Sequence, residues 1–208
     1  MMAEASAKLT GQPGVCFVTR GPGATNAASG IHVSAQDSTP VVLLIGQVSR
    51  DTLCREAFQE IDYSLFYGPI AKHVEQVHDA TRLPEVMSRA FHTACNGRPG
   101  PVVVVLPEDM LEECAKVEDL PARQALKLSP NAADMARFTE LLSQAKRPIL
   151  LAGGATGMRP HVLHCTNLPR AGNCRWRLRG ATRMFLIIPI PTTSVTSESV
   201  SIRRCRMR

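Results

Sequence analysis

Three runs in this chain contain no polar residue: Val15-Cys16-Phe17-Val18, Val41-Val42-Leu43-Leu44-Ile45 and Val102-Val103-Val104-Val105-Leu106. Successive side chains of a strand point to opposite faces, so a strand apolar at every position must be covered on both. Each run has strand length and ends at punctuation: Gly21-Pro22-Gly23 just beyond the first, Gly46 after the second, Pro107 after the third. Helical segments separate them. One spans about Ala24 to Ala35. The other, Asp79–Cys95, places Leu83, Val86, Met87, Ala90 and Phe91 at helical spacing. Strands alternating with helices predict an α/β fold, a parallel sheet flanked by helices. The expected strands are 15–19, 41–46 and 102–106, with a short one near Ala71–Val77. Residues 2–10 have helix-forming composition and stop at Gly11.

After Leu111 the pattern loosens. Glu112–Pro130 is polar and proline-bearing and reads as a linker. Asn131–Ala145 reads as a helix capped by Asn131 or Ser129. Arg147–Gly154 looks like the first strand and glycine turn of a further α/β domain. The expected organisation is therefore a domain over 1–111, a linker over 112–130, the start of a second domain over 131–156 and a tail over 157–208.

Charge separates the tail from the rest. Residues 1–156 hold 14 Lys and Arg against 17 Asp and Glu; residues 157–208 hold 10 arginines against Glu198 alone. The overall charge of +6 thus belongs to the tail and does not make the domain a nucleic-acid or membrane binder. An arginine-rich tail admits an RNA- or membrane-binding reading, or a solvated disordered terminus. A third reading is preferred here: translation out of frame. Shifting the frame by one base lets Pro191–Ser201 yield Asn-Tyr-Val-Gly-Asp-Val-Gly-Ile-Gly-Ile, a sequence of domain-like character. No stable packed fold is expected from about residue 160 onward. No run reaches the roughly 18 apolar residues of a membrane span, and the first residues lack the basic and apolar regions of a secretory signal. Seven irregularly spaced cysteines form no CxxC pair. This points to neither zinc nor a disulfide framework, and to a reducing, cytoplasmic setting. His32, His73, His78 and His92 read as surface or core-edge side chains rather than metal ligands.

Thr19-Arg20-Gly21-Pro22-Gly23-Ala24-Thr25-Asn26 is the segment richest in chemistry. Gly21 and Gly23 let the backbone approach a neighbour closely, Pro22 fixes φ, and Thr25 or Asn26 could cap the following helix. Taken alone, Gly-Pro-Gly is an ordinary strand–turn–helix junction. It is accompanied in order by Gly11-Gln12-Pro13-Gly14-Val15, Asp37-Ser38-Thr39-Pro40-Val41, Gly46-Gln47-Val48, Glu56-Ala57-Phe58-Gln59-Glu60-Ile61-Asp62, Gly97-Arg98-Pro99-Gly100-Pro101-Val102 and Leu106-Pro107-Glu108-Asp109. This series, over residues 2–156, resembles the amino-terminal pyrimidine-binding domain of thiamine-diphosphate enzymes, and the acetolactate synthase group most.

The resemblance implies thiamine diphosphate as cofactor, with Mg²⁺ and FAD in the full-length family. It implies a 2-keto acid such as pyruvate as substrate, a carboligase or decarboxylase activity, and a homodimer or tetramer. It points to Gly21, Pro22, Gly23, Asn26, Phe58 and Gln59 as cofactor-side residues, Phe58 as an apolar wall and Gln59 as a polar contact. Arg50 and Lys72 fall where the family has pocket or FAD-proximal residues, and Ser49 replaces a proline frequent after Gln-Val. The family's catalytic glutamate lies upstream of its Met-Ala-Glu-Ala helix, here Met2–Ala5. Glu4 is therefore not that residue and reads as a solvated helix glutamate. The Gly-Asp-Gly motif that holds Mg²⁺ and diphosphate does not occur in these 208 residues, nor does GxGxxG or a Walker loop. The chain is accordingly expected to be inactive alone. The alternative is a non-catalytic α/β binding module.

Overall fold

The computed structural model describes residues 1–121, 126, 129–144, 149–152 and 186–189. They fall into two units, the first over 1–121 and 126, the second over 129–144, 149–152 and 186–189.

In the first unit, α1 (Met2–Thr10) ends at Gly11, whose φ of 72° forms the left-handed cap expected of a terminal glycine. Strands β1 (Gly14–Val18), β2 (Val41–Gln47), β3 (His73–Gln76) and β4 (Pro101–Pro107) form one sheet in the order β1-β2-β4-β3, and every pairing is parallel. The three apolar runs are the three adjacent strands. β4 is buried along its whole length, and Val42, Leu43 and Ile45 of β2 are fully enclosed.

Helices cover both faces. On one, α4 (Leu83–Cys95) packs Val86, Ala90 and Ala94 against Val42, Val102 and Val104. On the other, Ala24 and Ile31 of α2 (Pro22–Asp37) and Tyr63 and Tyr67 of α3 (Tyr63–Tyr67) pack against Leu43, Ile45, Val103 and Val105. The cross-strand register pairs Leu43 with Val103 and Ile45 with Val105, so β-branched and γ-branched side chains stack in layers on each face. β1 is one of the two edge strands, and its Val15 and Phe17 are exposed while Cys16 and Val18 join the core.

Several details differ from the sequence reading. The helix after Gly-Pro-Gly starts at Pro22 itself, with Gly21 at the N-cap position and no side-chain cap. Proline suits this first position because its missing N–H has no intrahelical partner to lose. Thr25 therefore lies inside the first turn, where its hydroxyl donates to the Pro22 carbonyl at 3.2 Å. Glu4 is buried, not solvated, and pairs with Lys8, which also reaches Asp37 at 2.5 Å. Two short helices had no periodic signal: α3, and α5 (Glu108–Leu111), which opens directly off β4. The expected strand near 71–77 is confined to 73–76.

Gly14 serves close approach. A Cβ on Gly14 would collide with the Ala3 carbonyl of α1. Arg98 donates to Ser38 Oγ at 2.8 Å and to the Ala35 and Gln36 carbonyls, capping the C-terminus of α2.

In the second unit, α6 (Ala132–Gln144) is capped by Asn131, whose Oδ1 accepts from Asp134 N at 2.7 Å. β5 (Ile149–Ala152) pairs antiparallel with β6 (Leu186–Pro189). The strand at 186–189 is an element the sequence reading did not give; a short β-branched run has strand propensity of its own. The rest of the tail, including the segment read as out of frame, lies outside the described residues.

Candidate functional site at the carboxyl ends of the strands

In an open parallel sheet, ligands bind in the crevice outside the carboxyl ends of the strands, where loops emerge and helices begin. Here those ends are Thr19–Gly23 after β1, residues 48–62 after β2, and Glu108–Asp109 after β4.

The Gly-Pro-Gly turn is held from two sides. Gly21 has φ 58° and ψ −119°, a conformation open to glycine. Its N–H donates to the Tyr63 hydroxyl at 2.9 Å. A Cβ on Gly21 would lie 2.7 Å from Gln59 Cβ, and one on Gly23 would lie 2.7 Å from Thr19 Cγ2. The missing side chain of Gly21 is thus what lets residue 59 settle on the turn, and that of Gly23 leaves room for Thr19. Tyr67 donates to the Ala24 carbonyl at 2.5 Å. Burial raises the Tyr63 phenol and pushes that of Tyr67 up to about 12, so both stay neutral hydrogen-bonding groups. These contacts lock α3 onto the first turn of α2.

The loop over 48–62 is anchored at its base by Gln47, which is 2% exposed. Its Oε1 accepts from Val48 N at 3.0 Å, and its Nε2 donates to the Ile61 carbonyl at 2.9 Å, so one amide closes both ends of the loop. Arg50 ties the loop to α5. Its backbone N–H and Nε donate to the two Asp109 carboxylate oxygens at 2.9 and 2.6 Å, a further bond reaches the His78 carbonyl, and Glu113 also pairs with it. Partial burial would raise the Asp109 pKa, but the Arg50 contacts outweigh it and hold the carboxyl below its ordinary range. Arg20 pairs with Glu108 at 2.6 Å, joining the ends of β1 and β4.

The six residues singled out from sequence lie on two neighbouring segments of this edge. Gly21, Pro22, Gly23 and Asn26 share the opening of α2, with Pro22 and Asn26 exposed. Phe58 and Gln59 share the loop tip. Gln59 is half-buried over Gly21, while Phe58 is 81% exposed. A buried Phe beside a solvent-facing Gln, the ordinary arrangement, is therefore reversed. Arg50 stands at the same edge but is fully engaged in structural pairing. Lys72 is elsewhere: it precedes β3 at the amino ends of the strands, and its Nζ donates to the Thr93 and Asn96 carbonyls at 2.5 Å. Sequence reasoning missed Tyr63 and Tyr67, although the chain's two tyrosines at i and i+4 were a signal for a helix face with polar tips. His73 faces Glu75 at 3.3 Å. Among the described residues no group of three or more His, Cys, Asp or Glu could hold a metal ion, and no helix is long and apolar enough to cross a membrane.

Comparison with known proteins decides what this edge is related to. Residues 1–66, which include every residue of the turn and of the Phe58–Gln59 tip, match the family "Thiamine pyrophosphate enzyme, N-terminal TPP binding domain". Over these residues the chain resembles the thiamine pyrophosphate enzymes. Its relatives include the probable acetolactate synthase large subunit of Methanococcus aeolicus, 39% identical over 73% of this chain and 26% of that protein. They also include the acetolactate synthase isozyme 2 large subunit of Escherichia coli K12, 37% identical over 78% and 30%. A third is acetolactate synthase 3, chloroplastic, of Brassica napus, 38% identical over 74% and 24%. The chain spans between about a quarter and a third of the length of these relatives. Its parallel α/β sheet is consistent with a thiamine pyrophosphate-binding domain.

Proposed function

We propose that this chain supplies the pyrimidine side of a thiamine diphosphate site in an acetolactate-synthase-like carboligase or decarboxylase acting on 2-keto acids such as pyruvate. The observation that carries the reading is the apposition of the Gly21 turn and the Phe58–Gln59 tip. An aminopyrimidine is a flat ring with a hydrogen-bonding edge. It calls for an apolar surface beside a fixed amide, and Phe58 and Gln59, seated over the glycine turn, offer these. When bound, thiamine diphosphate supplies an electron sink for decarboxylation of 2-keto acids. In this reading Phe58 packs on the ring and shields it from water. Gln59, held by Gly21 and oriented by its loop, directs a polar contact. Tyr63 and Tyr67 keep the turn rigid without changing charge. Asn26, exposed on the first turns of α2, offers a further amide.

The Mg²⁺ and FAD of the full-length family are assigned no ligand among these residues. We place the cofactor domain at 1–111, a linker at 112–130, the start of the family's central domain at 131–156 and the basic tail at 157–208. The working enzyme is read as a cytoplasmic homodimer or tetramer. Because the 208 residues hold no Gly-Asp-Gly motif, the chain by itself is read as inactive, since groups that must meet at the reacting centre are not all present.

The test is equilibrium dialysis together with turnover. The purified chain binds thiamine and thiamine diphosphate with similar, weak affinity, and Phe58→Ala weakens both at least fivefold. With pyruvate, Mg²⁺ and thiamine diphosphate it forms no acetolactate above a cofactor-free control. Acetolactate formation overturns the inactive reading, and binding indifferent to Phe58→Ala overturns the site.

A further inference from the structure

The loop that carries Phe58 and Gln59 is built around a carboxylate. Cys54, Glu56 and Gln59 all have positive φ, at 61°, 55° and 66°. Left-handed backbone costs a non-glycine residue about 1–2 kcal/mol. Such residues persist where their surroundings over-determine them. The surroundings here are one side chain. Glu60 Oε1 accepts from Cys54 N at 2.6 Å, and Oε2 accepts from Ala57 N at 3.0 Å. The N–H groups of Arg55 and Glu56, between them, add to the lowering of this carboxyl's pKa. Alternating backbone hands turn successive amides to one side, making a concave nest that selects an anion. Residues 54–57 form such a nest, closed on the anion by the amides of Cys54 and Ala57, and the anion in it is supplied by the chain itself.

The geometry reaches the candidate site directly. Glu60 N donates to the Ala57 carbonyl at 2.9 Å, closing a turn whose two central residues are Phe58 and Gln59. A left-handed third residue in a turn is a role for glycine or asparagine, not glutamine. Gln59 takes it because Glu60 is bonded back to the nest on one side and Gly21 leaves room on the other.

We propose that Glu60 is a positioning residue for the pyrimidine side of the site: its carboxylate fills the nest of residues 54–57 and thereby holds Phe58 and Gln59 over the Gly21 turn. The functional part rests on the cofactor reading above. Glu60 itself touches no ligand in this scheme. It acts through the two residues that precede it.

The experiment uses the full chain, isotope-labelled for NMR, with Glu60→Gln and Glu60→Ala. Gln keeps one oxygen acceptor and Ala keeps none, so the effect is graded. Amide exchange at Cys54 and Ala57 accelerates about tenfold or more in Glu60→Ala and by less in Glu60→Gln. Exchange in β2 and β4 stays as it was. Thiamine, used as the probe, shifts the Phe58 and Gln59 resonances in the unsubstituted chain, weakly in Glu60→Gln and not in Glu60→Ala. A general loss of structure would instead accelerate exchange in the strands as well. Should Glu60→Ala fail to fold, Glu60→Gln carries the test by itself. Unchanged exchange at Cys54 and Ala57 overturns the proposal and leaves the cofactor reading standing. Opened nests in the variants, beside a Gln59 resonance that ignores thiamine in the unsubstituted chain, overturn the cofactor reading with the nest upheld.

Discussion

Replacing Gly21 by alanine separates the roles of backbone conformation and of space at the turn. Two costs add. The first is conformational: at φ 58° and ψ −119° an alanine is strained, and sparsely populated backbone regions cost about 1–3 kcal/mol. The second is steric: the new Cβ would lie 2.7 Å from Gln59 Cβ and 3.1 Å from its Cγ. Relieving such an overlap in a packed setting costs about 1–3 kcal/mol. The expected loss is therefore about 3 kcal/mol, a shift in Tm of roughly 10 °C for a domain of this size. Gly11→Ala is the internal control. Gly11 also has positive φ, at 72°, but a Cβ there meets nothing within 4 Å. It should lose about 1 kcal/mol, the conformational part alone. Urea unfolding followed by far-ultraviolet circular dichroism gives both numbers. The tyrosine bands of the near-ultraviolet dichroism report the site itself, because both tyrosines of the chain stand on α3 and its one tryptophan, Trp176, leaves them unchanged between the two variants. Equal losses for the two substitutions would refute the claim that Gly21 is required by contact with Gln59.

Other consequences can be measured on the same material. Leu43→Ala, at a fully enclosed position of central β2, should cost about 2–5 kcal/mol in urea unfolding. Tyr67→Phe, which removes the hydroxyl bonded to the Ala24 carbonyl, should cost about 1 kcal/mol. The tyrosine absorbance change should not occur near the ordinary pKa of 10.0, and its last step should fall at about 12. Because both phenols are raised on folding, the associated stability is complete below the unfolded value and is lost as pH rises through the folded one. Carboxylates behave oppositely. Glu60 is lowered from 4.5 by the backbone N–H groups of Cys54 and Ala57, and Asp79 from 3.8 by its bonds from Thr81. Their stabilising contribution is present above the unfolded values and fades as pH falls through the lower folded ones. Glu60→Gln should flatten that part of the stability–pH profile.

How much of this was legible in the sequence depended on the range of the interaction. The parallel sheet was legible because burial on both faces leaves a direct mark: Val102–Leu106 could not be apolar throughout unless covered on both sides. Helix α4 was legible for the same reason at a different period. The glycine turn was legible as a turn, but its purpose was not. That Gly21 makes room for Gln59 depends on a contact between residues far apart in sequence, set by where the loop after β2 returns. Glu4 was misjudged because its helix alone gave no sign of Lys8 and Asp37 closing around it. Lys72 was misplaced because direction along a strand, not proximity in sequence, decides which end of the sheet a residue reaches. Helices α3 and α5 are shorter than the window over which period can be read. The Glu60 nest left no pattern at all, since backbone N–H groups make it and any side chains can stand on them.

The central claim is that the turn and the loop tip together form the pyrimidine side of a thiamine diphosphate site. The most direct test is the map of resonance changes when the isotope-labelled chain is titrated with thiamine. The account predicts saturable changes concentrated at Gly21, Gly23, Asn26, Phe58 and Gln59, with the amino ends of the strands around Lys72 and Arg98 unaffected. Saturable changes centred on that opposite end, or none at the turn and loop tip, would contradict it.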